Sequence, residues 1–171
     1  MDALNDSSLT LRPLTPSDID LLPINDDMRA LFNRIVDRND WTYKGTRALV
    51  AEANAGEEKE SHTFVGYALV GLGYPPYFPA LSDDIKQLYL ASIQVFEPFQ
   101  RRGFGLRMMQ LLHTEAQRLE VQVFRAECAK GWLVTFYERV GFKAVPYKGP
   151  REDYPQDEHQ MLEMWLVPTT N

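Results

Sequence analysis

The run Gln100-Arg101-Arg102-Gly103-Phe104-Gly105 carries the most chemistry in this sequence. It follows a strand-like run closed by Pro98 and precedes a helix-like run. The first turn of a helix offers backbone N–H groups without intrahelical acceptors and the positive end of the dipole. Glycines let the backbone come close to an anion, so the turn can hold a pyrophosphate. Arg101 and Arg102 add charge for phosphate oxygens. Two other phosphate loops do not fit. A dinucleotide fold requires a third glycine where Met108 stands, and a P-loop requires Gly-Lys-Ser/Thr, which is absent. Taken alone, the run also fits a plain strand-to-helix turn.

Other reactive side chains are scattered. His62, His113 and His159 lack metal-ligand spacing, so no metal is expected. His113 falls on a helix. His159 falls in an acidic loop, as a remote base candidate or a solvated residue. Glu127, Asp83, Asp84, Glu152, Asp153, Asp157 and Glu158 either line an amine site or face solvent. Cys128 is the only cysteine, which excludes an intrachain disulfide and fits packing within a sheet in a reducing, cytoplasmic compartment. Gly73-Tyr74-Pro75-Pro76-Tyr77-Phe78-Pro79 reads either as an aromatic lid over an acceptor pocket or as a rigid surface loop.

These residues need a scaffold, and 171 residues with 44% apolar and 25% charged content supply one domain, 1–171, with a substantial core. The net charge of −6 argues against broad nucleic-acid binding and is compatible with cationic small substrates, although solubility also explains it. The start, Met1 to Asp6, lacks the basic and apolar regions of a secretory signal. No apolar run approaches the roughly 18 residues of a membrane-spanning helix.

Alternation predicts strands over Leu9–Leu14, Ala48–Glu52, Thr63–Val70, Leu88–Phe96, Val121–Cys128, Phe142–Pro146 and Leu162–Val167. In the fourth, Tyr89, Ala91, Ile93 and Val95 are expected on one face, with Leu90, Ser92 and Gln94 on the other. Thr15-Pro16-Ser17-Asp18 signals a short helix that Pro23 ends. A second helix starts at Asn25 and lines up Leu31, Phe32, Ile35 and Val36. A third spans about Gly105–Leu119, with Met108, Leu112, Ala116 and Leu119 on one stripe. A fourth, Leu133–Val140, closes at Gly141 in a left-handed cap. Asn54 to His62 reads as an antiparallel connection, and Gly71 to Asp84 as a long ordered surface loop. This order predicts an α/β (α+β) fold, a mixed sheet with helices on both faces.

The run Ile93-Gln94-Val95-Phe96-Glu97-Pro98-Phe99-Gln100-Arg101-Arg102-Gly103-Phe104-Gly105 resembles motif A of the GNAT acetyltransferase superfamily, with core Q/R-x-x-G-x-G/A. Downstream, Phe136-Tyr137-Glu138-Arg139-Val140-Gly141-Phe142 resembles the superfamily's second signature, F-Y-E-x-x-G-F. Together these cover Leu88 to Val145. Leu133 to Phe142, with Met161-Leu162-Glu163-Met164, is most similar to the arylalkylamine N-acetyltransferases.

The resemblance implies a GNAT fold, with a mixed, mostly antiparallel sheet splayed at the cofactor site. Acetyl-CoA would enter between the strand ending at Val95 and the strand containing Ala126. Gln100 and the backbone N–H groups of Arg101, Arg102, Gly103, Phe104, Gly105 and Leu106 would hold the pyrophosphate. Ile93 and Val95 would pair with the pantetheine arm, and the Val95 N–H would polarise the thioester carbonyl. Tyr137 would protonate the departing thiolate; as a residue on a short amphipathic helix it also reads as a core aromatic. Acetyl would pass directly to a primary amine, with a homodimer allowed and no metal implied. Two positions depart from the family pattern. Tyr89 stands where many relatives carry Glu or His to take the amine proton, with Ala91 two residues on. A phenol, with a pKa of about 10, is a poor base at pH 7, so Tyr89 shapes the amine pocket or packs. Lys130 replaces an Asn that binds pantetheine in many relatives. The competing expectations are a protein or peptide acceptor, and a non-catalytic acyl-CoA-binding sensor.

Overall fold

The computed structural model describes residues 8–37, 46–54, 62–72, 78, 81–82, 84–150 and 152–166. Its strands are β1 (Ser8–Pro13), β2 (Thr46–Asn54), β3 (His62–Gly71), β4 (Gln87–Val95), β5 (Val123–Ala129), β6 (Lys143–Val145) and β7 (His159–Trp165). The helices are α1 (Pro16–Ile19), α2 (Asp26–Asp37), α3 (Phe104–Arg118) and α4 (Trp132–Arg139). The strands form one sheet in the order β1-β2-β3-β4-β5-β7-β6. Every neighbouring pair is antiparallel except β4 and β5, which are parallel and joined through α3. A parallel pair needs a long crossover, and an α-helix supplies it. The mixed sheet with helices on both faces matches the sequence reading. The connection over 55–61, most of the loop over Gly71–Asp84 and the residues before Ser8 lie outside the described residues.

Each face buries an amphipathic helix stripe. On one face, Phe32 and Ile35 of α2 pack with Ile19 and Leu22 against Val50, Tyr67, Leu69 and Phe96. Phe32 meets Tyr67 edge to face, with ring centroids 5.1 Å apart. On the other face, Met108, Met109, Leu112 and Ala116 of α3 are buried against β1 to β5. Each buried Leu, Ile, Val, Met or Phe among them contributes about 1.5–3 kcal/mol relative to exposure.

The entry to α1 is fixed by an ionic cluster. The Asp18 carboxylate accepts from the Thr15 N–H at 2.8 Å and from the Thr15 hydroxyl at 2.6 Å. Arg12 donates to Asp18 at 2.7 and 2.9 Å and to Glu52 of β2 at 2.7 Å. Those bonds from Arg12, reinforced by Thr15, hold the Asp18 carboxyl well below the usual carboxylate range despite its burial.

The expected alternation along β4 fails at one residue. Leu69 pairs with Ser92 while Val70 pairs with Leu90, leaving Ala91 as a bulge. Tyr89 therefore shares a face with Ser92 and Gln94, the α1/α2 side. Leu88 and Leu90 share the other with Ile93 and Val95, which pack on the α3 side.

Candidate functional site

The sheet opens where the parallel pairing stops. β4 and β5 pair from Gln87↔Val123 to Leu90↔Ala126 and no further. Beyond that point β4 stays paired to β3 up to Gly66↔Val95, and β5 stays paired to β7 through Ala129↔His159. Two half-sheets thus diverge, and the bulge at Ala91 sits at the point of divergence. Bulges bend and over-twist the strand that carries them. The gap between Ala91–Val95 and Glu127–Ala129 is the opening expected between the strand ending at Val95 and the strand containing Ala126.

The backbone of β4 presents hydrogen-bonding groups to this gap. The Phe96 N–H donates to the Val65 carbonyl of β3 at 2.9 Å. Strand alternation turns the N–H and C=O of Val95 and Ile93 the other way, toward the opening. The Val95 carbonyl accepts from Gln100 Nε2 at 3.0 Å, which leaves the Val95 N–H as the donor on that side. Gln100, expected at the cofactor, has its side chain occupied in bracing the turn onto β4.

Next comes a short 3-10 helix, Glu97–Phe99, and then the glycine turn. Arg101 adopts φ 58 and Gly103 adopts φ 81, both left-handed. A left-handed non-glycine residue is uncommon and clusters at functional turns. The first helical bond of α3 runs from the Arg107 N–H to the Gly103 carbonyl at 3.1 Å. The N–H groups of Phe104, Gly105 and Leu106 precede it and have no acceptor within the helix. A Cβ built on Gly103 would meet no heavy atom of the described residues within 4 Å, its chain neighbours aside, so the turn is open on that side among them. The guanidiniums of Arg102 and Arg107 lie 6.0 and 5.5 Å from the Phe104 ring centroid. Open space beside unpaired N–H groups, flanked by arginines, fits a pyrophosphate.

The helix α4 closes one side of the opening. Phe136 lies 3.7 Å from the position a Cβ on Gly105 would take, so α4 rests against the start of α3. Gly141 ends α4 at φ 104, the left-handed cap read from the sequence. Tyr137 is buried, with its ring edge-on to Phe136 at 5.4 Å and Phe142 at 5.5 Å. Burial, with a smaller effect of Cys128, pushes the Tyr137 phenol up to about 12. Its hydroxyl has no hydrogen-bond partner among the described residues and remains a protonated donor at neutral pH. Cys128 shares its apolar cluster. Burial, then the charge of Glu127, pushes the Cys128 thiol up as well.

On the opposite face stands a group the sequence did not assemble. Tyr89 meets Phe78 edge to face at 5.0 Å. The guanidinium of Arg125, fully buried, lies 4.8 Å from the centroid of Phe78, 3.2 Å from Glu163 and 3.1 Å from Gln87 Oε1, to which it donates. Tyr67 donates to Gln94 Oε1 at 2.8 Å. His159 Nδ1 lies 2.6 Å from Glu127 Oε1. Their pairing was missed because His159 read as loop, whereas it opens β7. The only signal was the alternation His159, Met161, Glu163. Lys130, exposed, donates its backbone N–H to the Glu158 carbonyl at 2.7 Å.

Comparison with known proteins agrees with this arrangement. Residues 21–142 match the model of the acetyltransferase (GNAT) family. No curated protein sequence matches the chain. An acetyltransferase of the GNAT family from Desulfovibrio desulfuricans is similar in structure, with a TM-score of 0.62 at 18% identity, covering 94% of this chain and 100% of that one. A GNAT family acetyltransferase from Elizabethkingia anophelis with acetyl-CoA bound gives 0.56 at 15% identity, covering 92% and 98%. The spermidine/spermine N-acetyltransferase SpeG from Vibrio cholerae, in complex with manganese ions, gives 0.60 at 16% identity, covering 95% and 94%. At such identities the structural likeness speaks for the fold alone, and the family match spans most of the chain. With a sheet splayed between β4 and β5 and a glycine turn at its mouth, this chain belongs to the acetyltransferase (GNAT) family.

Proposed function

We propose that the protein, as one domain over 1–171, moves an acetyl group from acetyl-CoA directly to a primary amine, a small one. The observation that carries this reading is the opening between Ala91–Val95 and Glu127–Ala129, with unpaired α3 N–H groups at its mouth. The N–H groups of Arg101 to Leu106 bind the pyrophosphate, and Arg101 and Arg102 balance its charge. The backbones of Ile93 and Val95 hold the pantetheine arm. The Val95 N–H, left over once Gln100 takes the Val95 carbonyl, stabilises the oxyanion as the amine attacks. Tyr137, kept protonated by burial, gives its proton to the departing sulfur. Tyr89 lines the acceptor side beside Phe78 rather than acting as a base.

A net charge of −6 favours cationic acceptors, and the likeness to a spermidine/spermine enzyme puts polyamines beside arylalkylamines as candidates. A reducing, cytoplasmic setting and a homodimer are compatible with this role. One observation favours a second reading, a non-catalytic acyl-CoA sensor: Tyr89 replaces the expected Glu or His. The test is thiol release from acetyl-CoA with arylalkylamines, polyamines, aminoglycosides and short peptides, alongside calorimetric binding. Turnover with small amines is expected. Turnover with peptides alone would move the acceptor to a protein, and tight binding without turnover would favour the sensor.

A further inference from the structure

The acceptor side of the opening needs a group that accepts a proton, because an alkylamine arrives protonated and only its neutral form attacks. The pyrophosphate turn, α3 and α4 lie on one face of the sheet, together with Tyr137 and Cys128. An acyl group entering from that face would pass through the gap toward the other face. There, just beyond the last β4–β5 pair, Glu127 is the first residue of β5 freed from β4. Glu127 pairs with Met161 across β5 and β7, so His159, two residues along, shares its face. The Glu127 side chain is 14% exposed and the His159 side chain 40%.

Their contact fixes a tautomer. A carboxylate only accepts hydrogen bonds, so the Nδ1 at 2.6 Å carries the proton. With Nδ1 committed to Glu127, Nε2 is the ring atom left to exchange a proton. That nitrogen makes no hydrogen bond among the described residues. Tyr154 meets the His159 ring edge-on at 6.5 Å and is itself stacked on Tyr147 at 3.8 Å, which limits the ring's swing. The second Glu127 oxygen is buried without a partner among the described residues, so His159 is the side chain that the carboxylate bonds there.

We propose that His159 is the base that deprotonates the acceptor ammonium, with Glu127 as its positioning residue; this rests on the acetyl-transfer reading above. His159 Nε2 takes one proton from R–NH3+, and the imidazolium is balanced by Glu127. The freed amine lone pair forms the C–N bond at the thioester carbon, and the C–S bond breaks. Tyr137 protonates the leaving sulfur and recovers a proton from the acetylated nitrogen through water. The net products are the amide, CoA–SH and one proton on His159, which its exposed edge returns to solvent.

The experiment compares wild type, His159→Ala and Glu127→Gln with an alkylamine and with an alkoxyamine, which is already neutral at pH 7. With the alkylamine, kcat/KM should fall about 10²-fold in His159→Ala. The fall should be smaller in Glu127→Gln. With the alkoxyamine the deficit should shrink to a few-fold, while acetyl-CoA affinity and Tm stay near wild type. Added imidazole should restore part of the alkylamine rate to His159→Ala. Equal deficits with both nucleophiles, or an undiminished alkylamine rate, would overturn the dyad while leaving acetyl transfer intact. Failure of the wild type to turn over any amine would overturn both.

Discussion

Gly103 and Gly105 stand two residues apart in the same turn, yet they should respond to substitution in opposite ways. Gly103 sits at φ 81, where an L-residue is strained by about 1–2 kcal/mol and a β-branched one by more. Its chain neighbours aside, no heavy atom of the described residues lies within 4 Å of its would-be Cβ, so that strain is not a clash with the fold. The added group would instead occupy the side from which a pyrophosphate approaches. Gly103→Val therefore has two outlets. The turn can keep its shape at a cost in stability, or relax and pull the N–H groups out of line. Relaxation at about 1.4 kcal/mol weakens binding tenfold, and the side chain's own volume adds to that. Gly105 is helical, and its Cβ would rest at 3.7 Å from Phe136 and Val95, ordinary contact. Gly105→Ala should gain up to about 1 kcal/mol of helix propensity and leave binding nearly unchanged. Calorimetric titration of acetyl-CoA into both variants, with thermal melts, separates the outcomes. A Kd for Gly103→Val equal to wild type would refute the pyrophosphate assignment, whatever happened to Tm.

Tyr137 and Cys128 beside the opening, and the ionic cluster at α1, give three further outcomes. Tyr137→Phe should lower kcat by about 10²-fold with little change in acetyl-CoA affinity; an unchanged kcat with chemistry rate-limiting would reduce Tyr137 to packing. Cys128→Ala should remain active, because burial and Glu127 hold the thiol protonated. Mass spectrometry after incubation with acetyl-CoA alone should show no acetyl adduct at Cys128, and an adduct chased by amine would replace direct transfer with a covalent route. Asp18 has its folded pKa depressed, so its contribution is present above the unfolded value of about 3.9 and lost as pH falls through the folded one. Arg12 is 35% exposed, which moderates the pair, and Asp18→Asn should cost about 1–2 kcal/mol at pH 7. That difference should narrow progressively in melts as pH falls below about 3.9; a constant gap would assign the loss to shape rather than charge.

The parts legible in the sequence are those whose chemistry is local. Gly141 announces a left-handed cap by itself, and it lies there. The stripe Met108, Leu112, Ala116, Leu119 needs only the helical period; the first three are buried and Leu119 is half-buried. Pairings between distant segments were not legible. The bulge at Ala91 arises from how β3 lies against β4, and nothing in Leu90-Ala91-Ser92 declares it. The contact of Glu127 with His159 depends on the register of β5 against β7 and on β7 beginning at His159 rather than Leu162. Nothing around Arg125 in the sequence declares that it is fully buried between Glu163, Gln87 and Phe78. Its partners come from three separate segments.

The bulge also explains why folding and site geometry do not compete along β4. With unbroken alternation, Tyr89 and Ala91 would share a face with Ile93 and Val95, while Ser92 and Gln94 would turn toward α3. That arrangement would bury a hydroxyl and an amide against Phe104 and Met108 and leave two β-branched residues on the acceptor side. An unpaired buried amide or hydroxyl costs about 1–3 kcal/mol. Inserting one residue at Ala91 reverses the parity from Ser92 onward. Ile93 and Val95 then complete the apolar layer under α3, and Gln94 meets the Tyr67 hydroxyl on the other side. The same insertion lengthens β4 relative to β3 and bends it away from β5, which opens the gap at Leu90↔Ala126. A single extra residue thus sorts the side chains for burial and frees the backbone of Ile93 and Val95 for a ligand. A substitution at Ala91 that straightened the strand would forfeit both.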